Sequence, residues 1–332
     1  MKKMSAFGIL KPDTVITIAE KALGLPFSNL YRPCNSYINR VVELEQKDGL
    51  RRIIKFYRPD RWTREAIADE HDFLLELAEQ EVPVIAPLRL RDGATLGMYK
   101  NISYAIFPKC GGRCQDEFND DQWMEMGRLL ARVHNVGAVH AAGARIVLSP
   151  EASMSVQVEA ILSSGQVPAD LVGSFSRVAQ DLIREIGPLF TGEDSIRIHG
   201  DSHFGNIIYR PGESFFLIDF DDMAMGPPVQ DLWMLLPGLV ADSFVEADLF
   251  LEGYETFRRF DRRTLSLIEP LRAMRFIHYI AWCVHQVTED GMTLAVPGFG
   301  TPAYWQNEIR DLTDQLECIR KGPTAVGNMD LR

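Results

Sequence analysis

Two runs of alternating apolar and polar residues stand near the beginning of the chain. Residues 38–45 alternate, a Lys-Asp-Gly turn follows at 47–49, and residues 51–57 alternate again. Alternation with a period of two is typical of half-buried strands, and Asp-Gly between two such runs favours a hairpin. The pattern therefore predicts a β-hairpin whose second strand contains one lysine, Lys55.

The next pattern is helical. Apolar residues recur at helical spacing between positions 64 and 80, Thr63 is placed as an N-cap, and Trp62 and Ile67 are spaced as a hydrophobic staple. Short apolar runs bounded by turn residues then predict further strands, at 84–91, 96–99 and 102–107. Strands arranged around one main helix predict an α+β lobe built on an antiparallel sheet.

Helices dominate after the Gly-Gly pair at 111–112. A strand at 196–198 and a hairpin over 207–218 interrupt them. The predicted helices are 121–134, 151–164, 170–187, 228–258, 264–288 and 303–320. We therefore predict a small β-rich lobe over residues 1–108, a larger and mostly helical lobe over 109–322, and a flexible tail over 323–332.

Composition narrows the classes of function. A net charge of −11 argues against a nucleic-acid-binding surface, because phosphate contacts need clustered Lys and Arg. The most apolar late stretch, 276–287, is far shorter than the ~20 residues of a membrane span. The first residues do not read as a signal peptide, and the five cysteines are scattered. These features predict a cytoplasmic protein with no membrane partner.

The candidate chemistry is concentrated in two neighbouring segments. The first is His-Gly-Asp-Ser-His-Phe-Gly-Asn at 199–206, and the second is an apolar strand that ends in Asp219. Asp201 and Asn206 are five residues apart, as the base and the Mg²⁺-binding amide are in the kinase catalytic loop. Asp219 stands where the second metal-binding carboxylate of kinases is found. The spacing predicts a phosphotransferase that uses ATP and Mg²⁺ on a bilobal, protein-kinase-like fold.

Other polar residues of these segments have less certain roles. Single Asp and Asn residues in loops usually cap helices or make turns, so only the ordered set carries the prediction. His199 is predicted to brace the loop by hydrogen bonds. His203 is assigned equally to loop packing and to a role near the phosphates. Asp221 and Asp222 are assigned to local caps or turns, with a metal or substrate contact as the alternative.

The β-rich lobe supplies a candidate cation for the phosphates. Lys55 lies inside an apolar strand, where a buried charge is costly unless it is paired. Glu70 lies fifteen residues later in the predicted helix, as the helix glutamate that pairs with the strand lysine does in kinases. We therefore predict that Lys55 and Glu70 form a nucleotide-binding pair. The alternative is an edge-strand lysine that faces solvent.

The motif at 199–206 resembles the Brenner motif of the aminoglycoside phosphotransferase and choline kinase group, and 126–134 is similar to that group's "LGxxLAxLH" helix. More specifically, the chain resembles the bacterial stress response kinase A family. The segments that carry this likeness are Asn-Ser-Tyr-Ile-Asn-Arg-Val at 35–41, Lys-Phe-Tyr-Arg-Pro at 55–59, Glu-Val-Pro-Val at 81–84, and Gly-Pro-Pro-Val-Gln-Asp-Leu-Trp-Met-Leu-Leu at 226–236.

The resemblance implies a monomeric bilobal kinase that phosphorylates serine and threonine on proteins and on itself, with a role in the stress response. It implies that Asp201 and Asp219 are the active-site acids and that Asn206 and Asp219 bind Mg²⁺. It also implies that Ser36 contacts ATP. The loop around Ser36 lacks the Gly-x-Gly-x-x-Gly of ordinary protein kinases, so the hydroxyl and backbone donors must replace close approach at glycines.

Two alternatives stay open at this point. A small-molecule kinase of the aminoglycoside, homoserine or choline type would use the same motif, because one fold can host both activities. A nucleotide-binding pseudokinase that acts as an interaction module is a further reading, although no catalytic position is missing. The sequence does not identify the acceptor or the autophosphorylation site.

Overall fold

A computed structural model describes residues 7–36, 38–192, 194–290, 293 and 296–322. The predicted tail, 323–332, lies outside the described residues. The elements of the N-terminal part are α1 (Pro12–Leu23), β1 (Phe27–Pro33), β2 (Arg40–Gln46), β3 (Arg51–Phe56), α2 (Arg64–Glu79), β4 (Gly97–Tyr99) and β5 (Ile102–Pro108).

The N-terminal strands form an antiparallel five-stranded sheet with the order β1-β2-β3-β5-β4. The predicted hairpin is β2–β3, in which Val41 pairs with Lys55. On its other side, β3 pairs with β5, where Lys55 faces Ala105. Lys55 therefore lies on a central strand, and the edge-strand alternative is wrong.

Two helices cover the sheet, whereas the sequence predicted one main helix. The predicted helix is α2, and Thr63 caps it by accepting from the backbone N–H of Ala66. The unpredicted helix is α1, whose Val15 and Ile18 pack with Ile54 and Phe56 of β3. The two faces of the sheet are thus buried separately, and α2 is placed on the face that carries Lys55.

The predicted strand at 84–91 is wrong. Val84 makes one isolated bridge to Leu217, and the backbone N–H of Leu88 donates to the carbonyl of Ile106 at 2.7 Å. Pro83 and Pro87 interrupt this segment. Because proline has no N–H to donate, a regular ladder cannot form here. The segment instead runs as an irregular extended connection between α2 and β4.

Helices make up most of the C-terminal part, as predicted. Its elements are α3 (Asp120–Gly137), α4 (Ser155–Ser163), α5 (Val172–Ile186), β6 (Ile196–Ile198), β7 (Ile207–Arg210), β8 (Ser214–Leu217), β9 (Ala224–Gly226), α6 (Val229–Trp233), α7 (Phe244–Glu255), α8 (Ile268–Asp290) and α9 (Pro302–Lys321).

The predicted helix over 228–258 is two helices, α6 and α7. Pro237 and Gly238 lie between them, and both residue types disfavour a helix interior. The helix predicted at 121–134 is α3, which is held closely against α7. A side chain at Gly127 would place its Cβ 2.0 Å from the carbonyl oxygen of Phe250. This close packing joins the helices of the larger core.

Candidate active site

The loop at 199–206 follows β6 and is held by one buried carboxylate. Asp231 Oδ2 accepts from the backbone N–H of His199, and Asp231 Oδ1 accepts from that of Gly200, both at 2.8 Å. Gly200 has φ of 82°, and a Cβ there would lie 2.3 Å from the carbonyl oxygen of Asp222. Glycine is therefore required by both conformation and space. Asp231 therefore fixes the backbone at the start of this loop.

His199 also braces this loop. Its Nε2 donates to the carbonyl oxygen of Ile218 at 2.9 Å, and its Nδ1 accepts from the backbone N–H of Asp201 at 3.2 Å. The backbone N–H of Ile218 in turn donates to the carbonyl oxygen of Asn206 at 3.0 Å. These bonds connect the loop to the end of β8, so the two motif segments lie side by side.

Asp201 faces a cavity, and three side chains surround its carboxylate. Arg275 Nη2 donates to Oδ1 at 2.7 Å, and Asn206 Nδ2 donates to Oδ2 at 3.3 Å. His203 Nε2 lies 3.5 Å from Oδ2. Burial would raise the pKa of Asp201, but the His203 contact and the charge of Arg275 outweigh it and hold this pKa well below its usual range. Asp201 is therefore ionised near neutral pH.

The two predicted metal ligands, Asn206 and Asp219, line the same cavity. Asn206 Nδ2 donates to the carbonyl oxygen of Asp201 at 2.8 Å, which leaves the amide oxygen to accept or coordinate. The Asp219 side chain is 53% exposed and its backbone has φ of 60°. A left-handed conformation at a residue other than glycine is uncommon and is often found at functional positions.

Lys55 is buried among carboxylates. Its Nζ lies 3.0 Å from Asp219 Oδ1, 3.0 Å from Asp221 Oδ1 and 3.8 Å from Glu70 Oε1. Burial opposes the charge of Lys55, but Asp219, Asp221 and Glu70 outweigh it and raise the pKa of the lysine above its ordinary value. The structure therefore brings Lys55 and Glu70 together, although Asp219 and Asp221 are nearer to the lysine.

Glu70 has a second partner that the sequence did not indicate. Arg145 Nη2 donates to Glu70 Oε2 at 2.8 Å, and both side chains are buried. Arg145 also donates to the carbonyl oxygens of Ala66 and Asp221, each at 2.7 Å, and lies over the ring of Trp62. This arginine thus connects α2 to the segment that follows Asp219.

Asp221 belongs to the same network. Its side chain is 6% exposed, and it contacts Lys55, Arg61 and Asn39. Burial would raise its pKa, but the charges of Lys55 and Arg61 outweigh this and hold the pKa well below its usual range. Arg61 also binds Asp222 Oδ1 at 2.6 Å. Asp221 is therefore a buried structural anion, whereas Asp219 is open to the cavity.

One cavity of about 660 Å³ is lined by all six predicted site residues: Ser36, Lys55, Glu70, Asp201, Asn206 and Asp219. Ser36 is exposed at its edge, next to Tyr37, which lies outside the described residues. The lining also includes residues 107–110, where β5 ends, and the aliphatic side chains of Val41, Ile53, Ile208 and Ile218. A cavity that combines apolar walls with a few converging polar groups is typical of a small-ligand site.

The donor set fits a divalent cation that is shared with a ligand. Among the described residues, no cluster of three or more His, Cys, Asp or Glu side chains could hold a metal ion by itself. Asn206 and Asp219 supply an amide oxygen and a carboxylate. Mg²⁺ is commonly held by one or two protein oxygens together with phosphates and waters. The site therefore matches a cation that arrives with a nucleotide.

Residues 31–268 match the phosphotransferase enzyme family. Stress response kinase A from Escherichia coli strain K12 is 34% identical over 324 residues, which are 97% of this chain and 98% of the relative. The chain belongs to the stress response kinase A family. It is therefore a phosphotransferase of the kinase type. A second relative, "Serine/threonine protein kinase RdoA" from Salmonella typhimurium strain LT2, is also 34% identical to this chain over 324 residues.

Solved structures support the fold assignment. The chain is similar to amicoumacin kinase hAmiN, in a structure that contains AMP-PNP, Ca²⁺ and Ami, with a TM-score of 0.73. The match covers 96% of this chain and 95% of that protein, at 17% sequence identity. This likeness confirms the bilobal, kinase-like α+β fold of the stress response kinase A family member. The division of the chain at residue 108 stays a prediction.

Sequence reasoning did not find three arginines of this site, Arg61, Arg145 and Arg275. Arg61 lies in the loop before α2 and Arg145 in the loop after α3, and neither loop carries a motif. Arg275 lies directly before the apolar stretch 276–287. The available signal for Arg275 was a helical spacing of polar and aromatic residues, which runs through Arg275, His278, Tyr279 and Trp282.

In the described part of the chain, no helix is both long and apolar enough to cross a membrane.

Proposed function

We propose that this phosphotransferase uses Mg²⁺ and ATP to phosphorylate serine and threonine hydroxyls of polypeptides, including its own. The observation that carries the chemistry is the convergence of Lys55, Asp201, Asn206 and Asp219 in one cavity. The acceptor class is supported by the name of the Salmonella relative, serine/threonine protein kinase RdoA, which matches 97% of this chain.

Asp201 is the general base in this proposal. It is ionised, faces the cavity and has an oxygen, Oδ2, with only long contacts to Asn206 and His203. An acceptor hydroxyl that donates to Oδ2 would pass its proton there as its oxygen attacks the terminal phosphorus of ATP. The bond from that phosphorus to its bridging oxygen breaks, and ADP leaves with the electron pair. Asp231 and His199 keep the loop in place during the transfer.

Asn206 and Asp219 would hold Mg²⁺ against the phosphates. When bound, the cation neutralises charge on the phosphate oxygens. Lys55 would bind phosphate oxygens near Asp219, and Glu70 of α2, which Arg145 holds in turn, would restrain the lysine. Ser36 would contact the phosphates from the loop between β1 and β2. The adenine would lie against the aliphatic side chains of the cavity, near residues 107–110.

Label transfer from γ-labelled ATP tests the acceptor class. We expect purified protein with Mg·ATP to label itself on serine or threonine, and to label a basic polypeptide better than an aminoglycoside, choline or homoserine. The net charge of −11 favours the approach of basic segments. Mass spectrometry identifies the modified residue, and Asp201→Asn protein provides the background. Absence of phosphoserine and phosphothreonine, with efficient turnover of one small alcohol, would overturn this assignment.

A small-molecule kinase is the second candidate. The specific observation in its favour is the fold similarity to amicoumacin kinase, whose name gives amicoumacin as the acceptor. The panel of amino alcohols in the same assay decides between the two.

Nucleotide affinity should depend on Lys55 and, more weakly, on Glu70. Lys55→Ala should weaken Mg·ATP binding by about ten- to a hundredfold, since a hydrogen bond to a charged group contributes ~1.5–3 kcal/mol. Glu70→Gln acts through the lysine, so the double variant should bind no more weakly than Lys55→Ala. Calorimetric titration measures each affinity.

Folding must be checked in this series, because Glu70→Gln also leaves Arg145 without its buried anion. Thermal unfolding separates the two effects: stability falls with Glu70→Gln, whereas the change in affinity depends on whether Lys55 is present. Fully additive losses of affinity would show that the two residues act independently.

A further inference from the structure

A cation from a distant helix lies against the proposed base. The distance from Arg275 Nη2 to Asp201 Oδ1 is 2.7 Å, shorter than the contacts of Asn206 or His203 with Oδ2. Arg275 follows Asp201 by 74 residues and belongs to α8. The two oxygens of Asp201 therefore differ: Oδ1 is bound by a guanidinium, and Oδ2 has only longer contacts.

The Arg275 side chain lines the cavity and does not belong to the hydrophobic core. It lines the main cavity together with His278, Tyr279 and Trp282, which share its face of α8. Its side chain is 29% exposed, and among the described residues Asp201 is its only hydrogen-bonded or ionic partner. A partly exposed ion pair of this kind contributes little to stability. Packing alone therefore does not account for an arginine here.

We propose that Arg275 is a positioning residue for phosphoryl transfer, which fixes the Asp201 carboxylate through Oδ1 and so presents Oδ2 to the acceptor hydroxyl. The inference rests on the proposed function, because it requires Asp201 to act as the base. The proton moves from the hydroxyl to Oδ2 while the Oδ1 contact is kept. The guanidinium never gives up a proton, because arginine stays charged at all accessible pH values.

Arg275→Met tests this positioning role. At saturating Mg·ATP we expect kcat for label transfer to fall about tenfold or more, since a misaligned base forfeits part of the ~10²–10⁴ that base catalysis supplies. KM for ATP should change by less than about twofold, because the arginine acts on the base. Arg275→Lys, which keeps a cationic donor at this position, should retain more of kcat than Arg275→Met.

Chemical rescue gives a second readout. Guanidinium ion added to Arg275→Ala should restore part of kcat, and it should not restore Asp201→Asn.

Arg272→Met is the matched control. Arg272 lies three residues earlier on α8, is similarly half-buried, and binds Glu269 and the carbonyl oxygen of Gly238. Its removal should lower thermal stability and leave kcat and the KM for ATP unchanged.

The proposal is overturned if folded Arg275→Met keeps the wild-type kcat, or if guanidinium ion restores none of the kcat that Arg275→Ala loses. In either case a strong loss in Asp201→Asn would leave Asp201 as the base. Normal transfer by Asp201→Asn would instead show that the base is another residue, and absence of label transfer by the wild-type protein would remove the proposed function itself.

Discussion

Asp201→Asn should reduce phosphoryl transfer by about 10²–10⁴-fold, the factor that a positioned general base typically supplies. Asparagine preserves the shape of the side chain but cannot accept the hydroxyl proton. Its amide oxygen can still accept from Arg275, so the loop held by Asp231 and His199 should keep its conformation. Nucleotide affinity should survive, because the contacts of Lys55 are with Glu70, Asp219 and Asp221 rather than with Asp201.

Rates of label transfer at saturating Mg·ATP measure this effect, and calorimetry measures the nucleotide affinity of the same preparation. His203→Gln is the comparison variant from the same loop, because His203 Nε2 lies 3.5 Å from Asp201 Oδ2. If Asp201→Asn kept more than about half of the wild-type turnover, the base would have to be another residue.

The β2–β3 hairpin and α2 were predictable because their signals are local. The Asp-Gly turn, the alternation of apolar residues and the Thr63 cap each specify a short stretch of chain. The first helix, α1, was missed although Pro12 stands at its start and Gly24 ends it with φ of 69°. Its β-branched residues disfavour a helix by intrinsic propensity. Burial against β3 outweighs that preference, and the sequence alone does not reveal the partner surface.

The motif residues were predictable for a similar reason. Asp201, Asn206 and Asp219 lie within nineteen positions, and the short strands β7 and β8 bring the two segments together. Arg275 and Arg145 were not predictable, because they reach the site from α8 and from the loop after α3. A lone arginine in a helix or a loop usually faces solvent. Only the folded chain shows which carboxylate each of them meets.

The carboxylates next to the cavity are balanced by buried cations. Lys55 and Arg145 each contact Glu70 of α2. Arg61, which lies before α2, contacts Asp221 and Asp222 on the turn after Asp219. A buried charge is costly unless it is paired, so removing one member leaves others uncompensated. Asp219 is the most exposed of the carboxylates in contact with Lys55. It can therefore exchange the lysine for a cation at low cost.

Asp219→Asn should abolish most of the activity and the Mg²⁺ dependence of nucleotide binding. Asparagine is preferable to alanine here, because it tolerates the left-handed backbone at φ of 60°. The substitution removes the carboxylate that would hold the cation next to the phosphates. It also leaves Lys55 with Asp221 and Glu70, so binding of nucleotide without metal should change much less.

Calorimetric titration of a non-hydrolysable ATP analogue, with Mg²⁺ or with EDTA, measures the two affinities. Asp222→Asn is the matched control, because Asp222 lies on the same turn but binds Arg61. We expect it to keep the Mg²⁺ dependence. The rival ligand is Asp221, whose buried carboxylate is already held by Lys55, Arg61 and Asn39. If Asp219→Asn kept the Mg²⁺ dependence and Asp221→Asn lost it, the cation would have to be assigned to Asp221. That outcome would require the lysine and arginine contacts of Asp221 to break when nucleotide binds.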